Sequence, residues 1–298
     1  MVAAKGSLLD PEFLAHIERL TLVARSTLVG QTRGERRSRR RGYSNEFADY
    51  RDYVPGDDLR YLDWNIYGRL ERLFVKLFHE EEDLTVSIVV DVSRSMAYGH
   101  PQKLRYALQV TASLAYIALS GDDRVGVYPF AGELRAPFRP VRGRRNAPRL
   151  FRYLEDLLET PGEATDLARS LSGFAHTSRS RGLIVLISDL LDPAGYESAL
   201  RTIAGGRADS FLIHVLAPEE VDPQVRGDLR LVDSEDGATS EISVDRRLLE
   251  SYRATVAAFR AGVQQACSKR RIVPLFAVTS TPFEQLVLGY LRMRGLLQ

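Results

Sequence analysis

The chain has 298 residues, 44% of them hydrophobic and 27% charged, with a formal net charge of +2. Those values suit a folded globular protein and exclude a bulk polycation of the nucleic-acid-coating kind. A disulfide scaffold is excluded too, because Cys267 is the only cysteine. The longest apolar runs, SIVVDV and GLIVLISDLL, have strand length and fall well short of the ~20 residues of a membrane helix. The charged first residues with Pro11 do not read as a secretory leader. The expectation is a cytoplasmic protein with no integral membrane span and no nucleic-acid partner.

Residues 9–28 carry helical spacing, with Phe13, Ile17, Leu20 and Leu28 on one face and Pro11 suited to a first turn. The stretch RGERRSRRR follows, holding Arg33, Arg36, Arg37, Arg39, Arg40 and Arg41. It reads as a solvated linker, with a contact to acidic protein, nucleic acid or anionic lipid as the alternative. Residues 1–42 are thus expected to form an N-terminal helix and basic linker. Residues 43–83 differ in kind. Tyr43, Phe47, Tyr50, Tyr53, Tyr61, Trp64 and Tyr67 are too many aromatics to leave in water, which predicts a segment packed on the domain that follows. Within it Pro55-Gly56-Asp57-Asp58 signals a turn and RLFVKLF alternates like a strand.

From residue 84 to the end, strands alternate with helices. LTVSIVVDV, RVGVYPF, GLIVLISDLL, SFLIHVLA and IVPLFAV read as buried strands, with LRAPFRPV extending a hairpin. KLRYALQVTASLAYIAL, residues 146–159, about 195–204, and the stretch after Asp245 read as helices, the last with Leu249, Tyr252, Val256, Phe259, Val263 and Ala266 at three- and four-residue steps. A hairpin is expected around Asp236-Gly237. The fold class that follows is α/β: a mostly parallel sheet covered by helices on both faces.

The chemistry concentrates at strand ends. Asp91, Ser93 and Ser95 directly follow the first buried strand, and alternate positions of an extended loop project the same way. Thr165 lies in a loop before a helix, and Asp189 ends the strand LIVLISD. In a doubly wound sheet such ends gather at one ligand site. Five hard oxygens without histidine or cysteine suit magnesium, or manganese, better than zinc. With only two carboxylates in the set, the ion stays electrophilic toward an outside carboxylate. The plainer reading is that these residues cap helices and tie loops.

Asp-x-Ser-x-Ser, a loop threonine and a strand-end aspartate resemble the metal-ion-dependent adhesion site of von Willebrand factor A domains, over about residues 84–280. EFADYRDYVPGDDLRYLDWN, Glu80 to Glu82 and DVSRSM further resemble the bacterial domain-of-unknown-function family fifty-eight. That resemblance implies a Rossmann-like A domain with an N-terminal helical and β extension. It also implies a MoxR-type AAA+ ATPase, or that ATPase's client, as the partner that offers the acidic side chain. Leu190 stands where many A domains have glycine after the aspartate.

Arg94, Asp57, Asp58, Arg60, Asp63 and Trp64 are candidate partner contacts. The structural reading of the 57–63 acids is ion pairing with Arg51, Arg60 or Arg69, with Trp64 as a packed anchor. No phosphate-binding G-x-x-x-x-G-K-[ST] loop and no G-x-S-x-G elbow is present. Two alternatives to an interaction module stand: a metal-dependent hydrolase using Asp91 and Asp189, and a scaffold with a vestigial metal site.

Overall fold

The computed structural model describes residues 8–20, 22, 47–78, 84–160, 162, 164–178, 182–206, 208–232, 239–290, 292 and 296–297. They fall into two units: Met1–Thr32 with Leu84–Gln298, and Arg33–Asp83. Leu28, the arginine run at 33–41, Glu80 to Glu82 and the hairpin tip at Asp236-Gly237 lie outside the described residues.

The first helix, α1 (Pro11–Ile17), is capped by Asp10, whose carboxylate accepts the Glu12 N–H at 3.0 Å. It is shorter than the spacing over 9–28 predicts. The Leu20 N–H closes a turn onto the Ile17 carbonyl, and Leu22 forms an antiparallel bridge with Leu297. Both leucines are buried, Leu20 at this turn and Leu22 in this bridge. Phe13 meets Phe283 edge-on at 5.1 Å, placing α1 in the core of the larger unit.

In the smaller unit β1 (Phe47–Asp52) pairs antiparallel with β2 (Phe74–Phe78), and α2 (Trp64–Leu70) lies between them in sequence. Asp63 organises this unit. One oxygen caps α2 by accepting the Asn65 and Ile66 N–H groups at 2.9 and 3.2 Å. The other accepts the Tyr50 hydroxyl at 3.1 Å and meets the Lys76 ammonium at 2.9 Å. Asp57 pairs with Arg51 and Asp58 with Arg60, each at 2.7 Å. The acids are thus ion-paired as the structural reading expects, although Lys76 rather than an arginine meets Asp63. Trp64 is not the packed anchor: it is 63% exposed and touches Tyr67 edge-on at 6.2 Å. The reason is that α2 is only seven residues long and buries none of them.

The larger unit is built on a six-stranded sheet. Its strands are β3 (Thr85–Asp91), β4 (Arg124–Phe130), β5 (Phe138–Arg142), β6 (Leu183–Ser188), β7 (Asp209–Leu216) and β10 (Val273–Val278), in the order β10-β7-β6-β3-β4-β5. All are parallel except β5. Val86, Ile88 and Val90 of β3 face one core with α3 (Lys103–Ser120) and α4 (Ala147–Glu159), while Val89 faces the other. That second core is closed by α5 (Leu167–Thr177), α6 (Glu197–Ala204) and, after the short α7 (Pro218–Val221), by α8 (Arg246–Ser268). Each fully buried Val, Leu or Ile contributes about 1.5–3 kcal/mol, so the near-continuous apolar runs of β3, β6 and α3 dominate the stability.

The hairpin β8 (Gly227–Val232) and β9 (Thr239–Val244) forms where the sequence predicts it. The apolar stripe expected along all of α8 is covered only toward its C-terminus, at Val263, Ala266 and Cys267, whereas Tyr252 is 40% exposed. Pro140 sits in β5, the edge strand. Among the described residues no helix is long and apolar enough to cross a membrane.

The chain passes from β3 to β4 on one side and later to β6 on the other, so the strand order reverses between β3 and β6. The crevice at this switch point is where such sheets bind ligands.

The Asp63 network has a measurable signature. Lys76, and then the capping N–H groups and Tyr50, outweigh burial and lower the Asp63 carboxyl to about 2, against its ordinary 3.8. A folded-state value below the unfolded one stabilises the unit above pH 3.8, and that contribution is lost as pH falls toward about 2. Lys76 is raised by Asp63, so the pair persists on the alkaline side through the ordinary lysine range. Lys76→Met is expected to return the Asp63 value to the normal carboxylate range or above it, read by carboxyl NMR titration. An unshifted value would mean that the cap alone holds the charge.

Candidate metal and partner site

Asp91 ends β3 at the switch point and is fully buried. One of its oxygens accepts the Ser93 N–H at 3.0 Å and the Ser93 hydroxyl at 2.6 Å. The other accepts the Ser188 hydroxyl at 2.6 Å, a bond that spans the crevice from β3 to β6. The Ser93 and Ser95 hydroxyls lie 3.1 Å apart. Asp91, Ser93 and Ser95 therefore converge as their spacing predicts. Asp189, the residue after β6, is fully buried and near enough to Asp91 for their charges to act on each other.

Thr165 is 8% exposed, in the loop before α5. That loop is held to the end of β3 by the Gly162 N–H on the Val92 carbonyl at 2.6 Å, and to the end of β4 by the Asp166 N–H on the Ala131 carbonyl at 3.0 Å. Only glycine fits at 162, because a Cβ there would stand 2.4 Å from the Ala131 Cβ. The set is buried rather than displayed on an exposed loop. Arg94 next to it is exposed.

The sequence reading missed four members. Lys103, in the first turn of α3, is fully buried, and its ammonium meets Asp189 at 2.7 Å and Glu220 at 2.5 Å. His214 donates from Nε2 to the Asp189 carbonyl at 3.0 Å. Burial lowers this imidazole to about 4, which keeps it neutral. Ser188 bridges to Asp91 as described. The available signal for Lys103 was a lone lysine opening a helix that is otherwise apolar. Glu220 and His214 carried none, being ordinary in spacing.

Leu190 adopts φ +58°, the left-handed region that glycine favours. Its N–H is held by the Ser188 hydroxyl at 2.9 Å, and its side chain is 1% exposed. The glycine-type backbone turn is thus kept without glycine, at a cost of roughly 1–2 kcal/mol, which side-chain burial of about the same size offsets.

Asp189 and Glu220 share the Lys103 ammonium, while Asp91 beside them has, among the described residues, only Ser93 and Ser188 as hydrogen-bond partners. Burial, and next the charge of Asp189, push the Asp91 carboxyl up to about 7. For Lys103 burial acts downward, but Asp189 and Glu220 outweigh it and the net shift is upward. A buried excess of negative charge beside two serine hydroxyls is chemistry that fits a small divalent cation. Among the described residues no three His, Cys, Asp or Glu side chains form a ligand cluster. Hydroxyl oxygens would have to supply the rest of any shell here.

The model of the protein family of unknown function DUF58 matches residues 49–262. The chain belongs to that family. Curated relatives of this DUF58 protein include uncharacterized proteins of Mycobacterium tuberculosis and Mycobacterium bovis, each 31% identical over 262 residues, covering 87% of this chain and 82% of the relative. Solved structures similar to it include the conserved hypothetical protein BatB from Bacteroides thetaiotaomicron, at 16% identity and TM-score 0.44, covering 71% of this chain and 98% of that one. Another is an aerotolerance-related membrane protein from Bacteroides fragilis, at 15% identity and TM-score 0.46, covering 70% and 99%.

Elsewhere in this DUF58 protein, Cys267 is packed in the second core, and burial raises its thiol to about 11, so it is no nucleophile at neutral pH.

Removing Lys103 leaves buried carboxylates without their counter-ion. Lys103→Met is expected to cost about 3 kcal/mol or more in metal-free urea unfolding. Adding Asp189→Asn to that variant should recover part of the loss, because the two residues are directly coupled. Additive losses would mean that the ion pair contributes nothing of its own.

Proposed function

We propose that this protein is a metal-dependent interaction module of the von Willebrand factor A kind. Asp91, Ser93, Ser95, Thr165 and Asp189 would hold magnesium or manganese. Bound there, a divalent ion supplies an open position for a carboxylate from a partner protein. The single observation that carries this reading is the buried excess of carboxylate over ammonium at the switch point, beside the converging Ser93 and Ser95 hydroxyls. Lys103 sharpens it. By occupying one oxygen of Asp189 at 2.7 Å, it reduces what that carboxylate donates elsewhere and favours completion of the shell from outside.

The partner proposed is a MoxR-type AAA+ ATPase or its client, in chaperone-like assembly or maturation in the cytoplasm. The family resemblance of the sequence supports that choice. Arg94, exposed between Ser93 and Ser95, would tune association rate and salt sensitivity. The hydrolase alternative gains no support, because a general base must reach the metal-bound water and Asp57, Asp58 and Asp63 are each committed to a cation.

Two measurements test the reading separately. Magnesium in large excess over its dissociation constant should raise the melting temperature of the wild type by a few degrees, and Asp91→Asn should abolish the shift. An unchanged shift in the variant would place the metal elsewhere. Calorimetry with the MoxR-type ATPase of the same organism should show binding that falls with EDTA and recovers with magnesium. EDTA-insensitive binding sinks the metal mechanism; no binding under either condition sinks the partner.

A further inference from the structure

Along the open edge of the main sheet, β5 and α4 bound a groove of about 420 Å³. Phe138 and Arg139 line it from β5, and Arg149, Arg152, Tyr153 and Asp156 line it from α4. Arg139, Arg149 and Arg152 are exposed, and none of the three forms an ion pair among the described residues. Nearby arginines with structural work do have acids: Arg142 pairs with Asp122 at 2.8 Å, and Arg144 with Glu18. The floor of the groove is fixed. Phe138 is buried, lies 5.4 Å from the Tyr153 ring and is covered by the Arg149 guanidinium at 5.3 Å. The Tyr153 hydroxyl donates to the Ala136 carbonyl at 2.7 Å.

We infer that this groove docks an acidic segment of a partner protein, whose carboxylates pair with Arg139, Arg149 and Arg152. Guanidinium forks match carboxylates in two-point hydrogen bonds. One feature selects a protein segment over a nucleic acid. The Phe138 ring is already covered, so no open aromatic face awaits a base. Docking is through side chains and not by strand addition, because Pro140 removes a backbone donor from the edge. The groove shares no residue with the metal pocket, so this inference stands apart from the metal reading. Single exposed pairs are weak, and recognition therefore needs several carboxylates in one segment.

The test uses the full chain and a fluorescein-labelled hexaglutamate peptide in low salt, read by anisotropy. Arg149→Glu with Arg152→Glu should weaken binding by about ten-fold or more. Arg145→Glu, a like charge change just outside the groove, should stay within about two-fold of wild type. EDTA and Asp91→Asn should leave binding unchanged. If Arg145→Glu weakens it as much as the groove variant does, bulk charge binds the peptide and the groove is refuted. If EDTA abolishes it, the contact is the metal pocket and the groove is again refuted. An oligothymidylate that binds more tightly through the same arginines would overturn the partner class. Should the double reversal fail to fold by circular dichroism, Arg139→Gln and Arg152→Gln singly must each weaken hexaglutamate binding, or the inference fails.

Discussion

A fully buried ammonium holds the carboxyl end of the sheet together. Lys103 reaches from the first turn of α3 to Asp189 after β6 and to Glu220 in α7. The second Glu220 oxygen accepts the Ala217 N–H at 2.8 Å, and the second Asp189 oxygen accepts the Leu191 N–H at 3.1 Å. One side chain thus joins the segments after β3, β6 and β7. Desolvating such charges is costly unless the geometry is complete, so the contact forms only when all three strands end in register. The Asp91–Ser188 hydrogen bond makes the same demand across β3 and β6.

Most strands and long helices of the larger unit were legible in the sequence, because buried parallel strands write themselves as β-branched apolar runs. The candidate site was legible in part, since Asp91, Ser93 and Ser95 lie on one short loop whose alternation sets their direction. What escaped detection depends on distant partners. Lys103 and Asp189 are 86 residues apart and Lys103 and Glu220 are 117 apart, and no local pattern links them. The same applies to β1, whose pairing with β2 joins segments separated by a helix and a turn. The helix expected over 9–28 is continuous only through Ile17, because the chain turns at 18–20 and Leu22 pairs in a bridge with Leu297.

The candidate site at Asp91 and the groove beside α4 are joined by a short stretch of chain. α4 forms one wall of the groove and ends at Glu159. The carbonyl of the next residue, Thr160, accepts from Arg135 at 2.7 Å, and two residues later the Gly162 N–H bonds to Val92 beside Asp91. α4 and the loop that carries Thr165 are therefore separated by only a few residues of chain.

The edge strand β5 has a consequence for the behaviour of the protein in concentrated solution. A sheet ending in a long regular strand invites a second copy to continue its ladder. Here the terminal strand is five residues long, carries Pro140 and turns Arg139 and Arg142 outward. Two copies brought edge to edge would meet a missing donor and like charges within a few ångströms of each other. This edge is accordingly a poor seed for aggregation of the protein with itself.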